Sequence, residues 1–478
     1  MTPPLPEGFT ARLNHHARQY DGGRILVGGS PTRVLRLTDS ARRLLHAETI
    51  EVRGPAGQVL ADRLLDTGIA DPALDSLPDI ELGLLTVVVP VRDRPRQLDR
   101  LLNSIDPDIH VVVVDDASSA PQSIAATARR HGAEVILLPV NLGPAGARNH
   151  GLRRVTTPYV AFIDSDVVLE PGAVPTLLKH FHDPQVALAA PRIASLTQAT
   201  GDGWISRYEH HRSSLDLGPH PGLVRPGARV AWLPGACMVA RTSAIGNGFD
   251  PSMRVGEDVD LVWRLADDGW RLRYEPAAVV RHEHRSTLSS WLARKAYYGT
   301  GADLLAHRHH DHVAPAVFTP WSASFVLALL AQRRWSAPIA FTAAAATVVA
   351  LHRKLPPSPS RLRISLTLTA HGALAACLQT SGLLLRHWWP AAVVGSLVST
   401  RLRRALLASV LVDTVLEYRP RAGLDPVRFA IARRLDDLAY GAGVWHGALR
   451  GRSLRALKPV LNGRTPRQPG SLIRPVDG

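Results

Sequence analysis

Three apolar segments, two of them ending in paired carboxylates, most constrain how this chain can fold. They span residues 84–91, 109–116 and 159–166, and the last two end in Asp115-Asp116 and Asp164-Ser-Asp166. Apolar runs of this length that alternate with amphipathic segments are typical of buried parallel strands joined by helices. We therefore predict an α/β, doubly wound sheet, in which the carboxyl ends of the strands meet at the edge where such folds bind ligands.

The pair Asp164 and Asp166 suggests a metal site. Two carboxylates this close repel each other, and at the mouth of a sheet a hard cation such as Mg²⁺ or Mn²⁺, bridging to a phosphate, would explain the pair. A polar turn at a strand end is the alternative, because Asp-x-Asp alone is also common in turns. The surrounding segments have to decide between the two.

Two further segments carry candidate chemistry. In Asn141 to Gly151, glycines let the backbone approach a ligand, and a helix starting near Ala145 would point its N-terminus at an anion, although a well-packed helix start fits equally. In Val255 to Trp270, several carboxylates precede an amphipathic helix that Gly269 ends. These carboxylates are candidates for proton transfer, and simple helix capping is the alternative.

Chain length, net charge and cysteine content limit the number of domains and the possible partners. A chain of 478 residues should form about three domains. The net charge of +15 is compatible with nucleic acid, a membrane or an anionic substrate. Nucleic acid is disfavoured, because the arginine excess lies largely beside apolar C-terminal segments and no nucleic-acid module is recognisable. The two cysteines, Cys237 and Cys377, lie far apart, and no signal peptide is evident, so we predict a cytoplasmic protein.

The two ends of the chain differ from its centre. Residues 1–80 combine short strands and two or three helices in a winged-helix-like order, which predicts a stabilising cap or a peptide-docking module. Residues 306–450 contain four largely apolar segments with arginines between them, which we expect to form helices at an anionic inner membrane face; buried helices of a soluble domain are the competitor. The tail, 451–478, is predicted to be disordered.

Four motifs in order resemble the inverting family 2 glycosyltransferases, which have a GT-A fold. They are Thr86-Val-Val-Val-Pro90, Val114-Asp-Asp-Ala-Ser118, Asn141-x-Gly-x-Ala-x-Ala-Arg148-Asn149 and Phe162-Ile-Asp-Ser-Asp166. The resemblance covers roughly residues 84 to 300 and implies a catalytic domain over 81–305. It implies a nucleotide-sugar donor held by Pro90, Arg92, Asp115, Asp116, Arg148 and Asp164.

The same resemblance implies a divalent cation and a catalytic base. The metal, Mn²⁺ or Mg²⁺, would bind Asp166 and His282, with His284 as the alternative ligand. Asp258 would be the base, with Glu257 and Asp260 orienting it or the acceptor, unless Asp260 takes that role. The acceptor region would include Trp232, Gly235 and Trp263.

The whole layout resembles the mycofactocin-system glycosyltransferases of actinobacteria, whose N-terminal part is PqqD-like. The implied acceptor is a redox cofactor precursor made from a ribosomal peptide, and the implied donor is UDP-glucose, giving a β-linked glucose chain. Two alternatives stay open: a family 2 enzyme of cell-wall or lipid-linked glycan synthesis, and a non-catalytic peptide-binding or membrane scaffold. A sugar nucleotidyltransferase is disfavoured, because Val91 to Pro95 lacks the glycines of its phosphate loop.

Overall fold

The computed structural model describes residues 3–196, 203–285, 287–310, 312–418 and 423–461. These residues form two compact units. The first contains residues 3–196 and 212–284, and the second contains residues 203–211 and 285–461. The sequence predicted four parts, residues 1–80, 81–305, 306–450 and 451–478. This division stays a prediction, because the two units do not separate residues 1–80 from the central sheet.

The N-terminal part has the predicted short strands and helices. Its elements are β1 (Thr10–Leu13), β2 (Arg18–Tyr20), β3 (Ile25–Gly28), β4 (Arg33–Arg36), α1 (Asp39–Leu44), β5 (Thr49–Glu51), α2 (Gly54–Thr67) and β6 (Ala70–Pro72). They form two antiparallel sheets, ordered β5-β1-β6 and β2-β3-β4. Thr38 caps α1, and Gly68, at φ +66°, ends α2.

The central part alternates strands and helices. Its elements are β7 (Leu85–Val91), α3 (Pro95–Leu102), β8 (His110–Asp115), α4 (Pro121–Arg130), β9 (Glu134–Leu137), α5 (Gly143–Leu152), β10 (Tyr159–Ile163), β11 (Val167–Leu169), α6 (Ala173–Leu178), β12 (Val186–Ser195), α7 (Trp204–Arg212), β13 (Gly222–Leu223), β14 (Cys237–Arg241), α8 (Thr242–Ile245), α9 (Glu257–Asp267) and β15 (Arg271–His282). Most of α7 belongs to the second unit.

These strands form one nine-stranded mixed sheet. The order is β11-β15-β12-β14-β10-β7-β8-β9, with β13 beside β15. Strands β10, β7, β8 and β9 are parallel, and β14 runs antiparallel to both of its neighbours. Helix α5 packs tightly on the sheet, because a Cβ on Gly151 would lie 2.2 Å from Cγ1 of Val88. The predicted α/β fold is confirmed.

A buried arginine joins the N-terminal part to this sheet. Arg271, at the start of β15, is only 2% exposed. Its guanidinium donates to Asp62 (2.9 Å) and Asp66 (2.8 Å) of α2 and to Asp183 (2.8 Å), which precedes β12. A buried cation with three carboxylate partners is costly to disrupt, so α2 is held firmly against the sheet edge.

The second unit is mainly helical. Its elements besides α7 are α10 (Leu288–Arg308), β16 (Val317–Phe318), α11 (Pro320–Ala331), α12 (Ser336–Lys354), α13 (Arg361–Gly382), α14 (Trp389–Val398), α15 (Thr400–Glu417), α16 (Pro426–Arg450) and β17 (Val460–Leu461). A π-helical turn, Leu383–His387, extends α13. Helices α10 and α16 approach closely at glycines: a Cβ on Gly299 would lie 2.2 Å from the Tyr440 carbonyl oxygen.

Part of the predicted disordered tail is ordered. Residues 455–457 form a 3₁₀ turn, and Val460–Leu461 pairs with Val317–Phe318. Ala456 and Leu457 are buried in a cluster with apolar residues of α10 and α16, which explains the order. The expectation of disorder is therefore wrong for residues 455–461, and residues 462–478 lie outside the described part of the chain.

One helical segment in the described residues is long and apolar enough to cross a membrane. It spans Arg361–His387, with a mean hydropathy of 1.3 in its most apolar window, and 22% of that window is buried within the protein. Two shorter apolar helices are Pro320–Ala331 and Trp389–Val398.

Candidate active site

The predicted carboxylates gather at one edge of the sheet. Strands β8, β7 and β10 are adjacent and parallel, with Val91 paired to Asp115 and Phe162 to Val88. Asp115 therefore ends its strand beside Val91, and Asp164 follows the end of β10 on the other side. The edge formed by these strand ends is the candidate active site.

Arg148 holds two acidic groups of the site together. It lies in α5 and is 2% exposed. Its guanidinium donates to Asp164 Oδ1 (2.7 Å), to Glu257 Oε1 (2.8 Å) and to the Gly235 carbonyl (3.2 Å). Arg148 thus links the end of β10, the start of α9 and the loop before β14, which is a supporting position behind the groups it binds.

Asp258 is the carboxylate best placed to act as a base. Its Oδ2 accepts from the Gly235 N–H (2.7 Å) and its Oδ1 from the Val259 N–H (2.8 Å). Burial and the negative charge of Glu257 raise its pKa to about 7, against the opposing effects of the Gly235 N–H and Arg148. Because the side chain is only half-buried, a substrate hydroxyl can reach it.

The two neighbouring carboxylates are more enclosed. Glu257 is buried against Arg148. Asp260 is 0% exposed, and its Oδ2 accepts from Arg264 Nε at 2.9 Å. Both therefore support the start of α9, and the arrangement favours Asp258 over Asp260 as the base.

Asp166 and His282 lie together beside the strand ends. Strand β11 pairs with β15 so that Val167 lies opposite His282, and His282 Nε2 is 3.5 Å from Asp166 Oδ1. Burial raises the pKa of Asp166, but His282 and Arg94 lower it by more, so the carboxyl stays ionised. A carboxylate oxygen and an imidazole nitrogen at this separation fit two neighbouring ligands of one divalent cation.

His284, the alternative ligand, lies two residues further along the chain, and its ring centroid is 5.7 Å from that of His282. Nδ1 of His282 and Nε2 of His284 are both buried. The distance of 3.5 Å between His282 Nε2 and Asp166 Oδ1 favours His282 as the ligand that accompanies Asp166.

Arg94 was not among the residues predicted from the sequence. Its guanidinium contacts Asp166 Oδ2, whereas Arg92, the predicted donor-binding residue, is exposed and lies 3.6 Å from Asp93. Asp93 has φ +56°, and its carboxylate accepts from the Ser119 N–H and hydroxyl, both at 2.7 Å, so the loop after β7 is held in place. Charged residues directly after a strand end were the available signal for Arg94.

The two aspartates after β8 have different partners. Asp116 accepts from the backbone N–H groups of Leu142 (2.6 Å) and Gly143 (2.9 Å), so it caps the start of α5. Asp115 binds Ser118 through Oδ1, and its Oδ2 is buried without a hydrogen-bond partner in the described residues. Of the two aspartates, Asp115 has a carboxylate oxygen that can still accept a hydrogen bond from a ligand, whereas both oxygens of Asp116 already accept one. Pro90, half-buried, lies next to this position and is paired with Val114.

The predicted acceptor residues lie around Gly235. Trp263 is buried, and its Nε1 donates to the Ala231 carbonyl at 2.7 Å, so it fixes the chain that leads to Gly235. Trp232 is half-buried in the same segment. Gly235 contacts Asp258 and Arg148 through its backbone, and a Cβ there would lie 3.1–3.2 Å from both side chains. This segment therefore holds the Asp258 carboxylate in place.

Comparisons with known proteins show the family of the chain. Residues 86–227 match the model for glycosyl transferase family 2, and residues 159–352 match that for glycosyl transferase family group 2. The pre-mycofactocin glycosyltransferase of Mycobacterium tuberculosis is 42% identical over 96% of this chain and 98% of that protein. The succinoglycan biosynthesis protein ExoU of Rhizobium meliloti is 29% identical over 41% of this chain and 61% of that protein.

Among solved structures, one match is a mannosyltransferase from Pyrobaculum calidifontis, PcManGT, in complex with GDP-Man and Mn²⁺. The TM-score is 0.37 and the sequence identity 19%, over 62% of this chain and 86% of that one.

Proposed function

The chain belongs to the family 2 pre-mycofactocin glycosyltransferases, and from this premise we propose that it transfers a hexose, with inversion, from a nucleotide sugar to a peptide-derived redox cofactor precursor. The family predicted from the four motifs is confirmed. The observation that carries the proposed mechanism is the half-buried Asp258, whose pKa of about 7 suits a general base at neutral pH.

In this mechanism Asp258 takes the proton of the acceptor hydroxyl. The hydroxyl oxygen attacks the anomeric carbon of the donor as the bond from that carbon to the diphosphate oxygen breaks, and the nucleoside diphosphate leaves with the bonding electrons. A single displacement inverts the anomeric centre, so an α-linked donor gives a β-glycoside. The Gly235 N–H and Arg148, through Glu257, keep the base in place.

Asp166 and His282 would hold the divalent cation, and their mixed oxygen and nitrogen donors suit Mn²⁺ somewhat better than Mg²⁺. When bound, such a cation neutralises the charge that develops on the leaving diphosphate. Arg94 contacts the same carboxylate, so its positive charge lies beside the cation position. With a donor bound, Arg94 is placed to bind a diphosphate oxygen.

For the donor we propose UDP-glucose, with the ribose near Asp164 and the base near Pro90. The resemblance implied Asp116 and Arg148 as the other base-binding residues; we propose Asp115 instead, because Asp116 binds backbone N–H groups and Arg148 is buried. The Oδ2 atom of Asp115 supports a uracil base, because a carboxylate accepts a hydrogen bond and uracil N3 donates one. Asp116, which caps α5, is then a supporting residue of this pocket.

A panel of nucleotide sugars tests the donor. We expect UDP-glucose, in the presence of Mn²⁺, to bind more tightly than GDP-linked or ADP-linked sugars, measured by calorimetric titration. A preference for a purine donor would overturn the uridine assignment. Failure of every donor to bind would overturn the transferase mechanism at this site and favour the non-catalytic scaffold.

The acceptor proposal rests on the family, and residues 1–80 are proposed to dock the peptide. Synthesis of cell-wall or lipid-linked glycans is the weaker alternative, because the 42% identity extends over the whole chain, including the N-terminal part. ExoU, by contrast, matches only 41% of this chain.

We further propose that the second unit touches the inner face of the cell membrane. Several apolar side chains of α14 and α15 are highly exposed, among them Val398 (90%) and Leu397 (76%), and Arg401, Arg403 and Arg404 follow directly. Exposed apolar groups beside arginines suit an anionic interface. We expect the protein to float with vesicles containing phosphatidylglycerol and less with phosphatidylcholine alone. Equal absence from both fractions would refute membrane contact.

A further inference from the structure

Three histidines in the first unit form a cluster that the proposed reaction does not use. The ring centroid of His15 lies 3.5 Å from that of His16 and 3.7 Å from that of His220, and His16 and His220 are 5.4 Å apart. One ring nitrogen from each residue lies within 4.8 Å of the other two. The sequence alone does not indicate this cluster, because His220 is far from His15 and His16 along the chain.

The backbone carrying His15 and His16 is fixed. Both residues lie in the turn after β1, and Asn14 Oδ1 accepts from the backbone N–H groups of His16 (3.1 Å) and Ala17 (3.0 Å). The Asn14 amide also donates to the Gly68 carbonyl at 2.5 Å. The turn is thus tied to the end of α2 whether or not a ligand is present.

The loop carrying His220 is fixed from the opposite side. His220 precedes β13, which pairs with β15 at Gly222 and Tyr274. The Tyr274 hydroxyl donates to the Gly218 carbonyl at 2.6 Å. Two independently anchored segments therefore bring their imidazoles together, which is the preorganisation that a ligand site needs.

One nitrogen of the cluster lacks a partner. Nε2 of His16 is buried and makes no hydrogen bond within the described residues, an arrangement that ordinarily destabilises the folded state. A bound cation would satisfy it.

We propose that His15, His16 and His220 form a binding site for a divalent transition metal, best suited to Zn²⁺, with water or an anion as the fourth ligand. Three imidazoles and one open position make a tetrahedral zinc site. The metal would cross-link the first turn of the N-terminal part to the loop before β13. The neighbouring Arg18 and Arg229 oppose a cation and favour an anionic fourth ligand.

Zinc titration of the untagged, full-length protein tests this site after the metal has been stripped with EDTA and removed by dialysis. We compare wild type with the double variant His15→Ala/His220→Ala and with His110→Ala, an exposed histidine outside the cluster. We expect the double variant to lose one equivalent of Zn²⁺, or to bind it at least about tenfold more weakly. Zinc bound at the active site is retained by all three proteins.

Two further measurements distinguish a specific three-histidine metal site from nonspecific zinc binding to surface histidines. Co²⁺ should give the intense visible spectrum of four-coordinate cobalt in wild type and His110→Ala but not in the double variant. Zn²⁺ should raise the Tm of the first two proteins only, and the three Tm values in EDTA should be equal, because His15 and His220 are exposed. Equal zinc stoichiometry and affinity in all three proteins, or binding only at millimolar Zn²⁺, would overturn the proposal.

Discussion

Replacement of Asp258 by asparagine is expected to lower kcat by about 10²–10⁴-fold, the usual contribution of a general base. The amide keeps the shape of the side chain but cannot take the acceptor's proton. Donor binding should change little, because Asp258 contacts the Gly235 and Val259 N–H groups on the base side of the site. Initial rates of glucose transfer and a calorimetric donor titration measure the two effects separately.

The pH profile and a matched variant sharpen this test. Because the pKa of Asp258 is raised to about 7 and only the ionised form is a base, kcat/KM should rise with pH and level off above about 7. Asp268→Asn, at the exposed end of the same helix, should retain wild-type rates. If Asp258→Asn kept most of the activity, the base would instead be Asp260.

Replacement of Asp166 by asparagine is expected to weaken Mn²⁺ binding by at least about 10-fold to 100-fold, since even partners behind the metal ligands have effects of this size. The transfer rate should also fall, by a factor corresponding to several kcal/mol, because the charge of the leaving diphosphate is no longer neutralised. Electron paramagnetic resonance of free Mn²⁺ measures the affinity in the absence of any substrate.

Asp108→Asn is the matched control for this experiment, because Asp108 is an exposed carboxylate in a loop of the same domain. It should bind Mn²⁺ as the wild type does. His282→Ala should weaken Mn²⁺ binding as well, and His284→Ala should do so less. An unchanged Mn²⁺ affinity in Asp166→Asn would mean that the metal binds elsewhere. A larger loss of Mn²⁺ affinity in His284→Ala than in His282→Ala would mean that His284, not His282, is the ligand.

Local sequence patterns predicted the strands, the helices and the strand-end carboxylates. Apolar runs such as Leu85–Val91 form buried parallel strands, and Asp115 and Asp164 lie at their ends because parallel strands in one sheet end at the same edge. Gly269, which was predicted to end a helix, follows the end of α9 with a φ of +88° for the same local reason. Features that depend on only a few neighbouring residues could therefore be predicted from the sequence.

Contacts between segments that are distant in the sequence could not be predicted from it. Arg148 binds Glu257, Arg271 binds Asp62 and Asp66, and Arg94 contacts Asp166, and in each case the partner is set by packing of elements far apart in the sequence. The order of residues 455–461 has the same origin, because burial against α10 and α16 outweighs their polar, proline-containing surroundings. A single sequence shows the composition of such segments but not what covers them.

The configuration of the new glycosidic bond tests the central claim most directly. Wild-type protein is incubated with UDP-glucose, Mn²⁺ and the peptide-derived precursor, and the anomeric proton coupling of the product is measured by NMR, with Asp258→Asn as the control. The proposed single displacement predicts a β-linked glucose from wild type and no product beyond background from the variant. An α-linked product, or equal transfer by Asp258→Asn, would contradict the proposed mechanism.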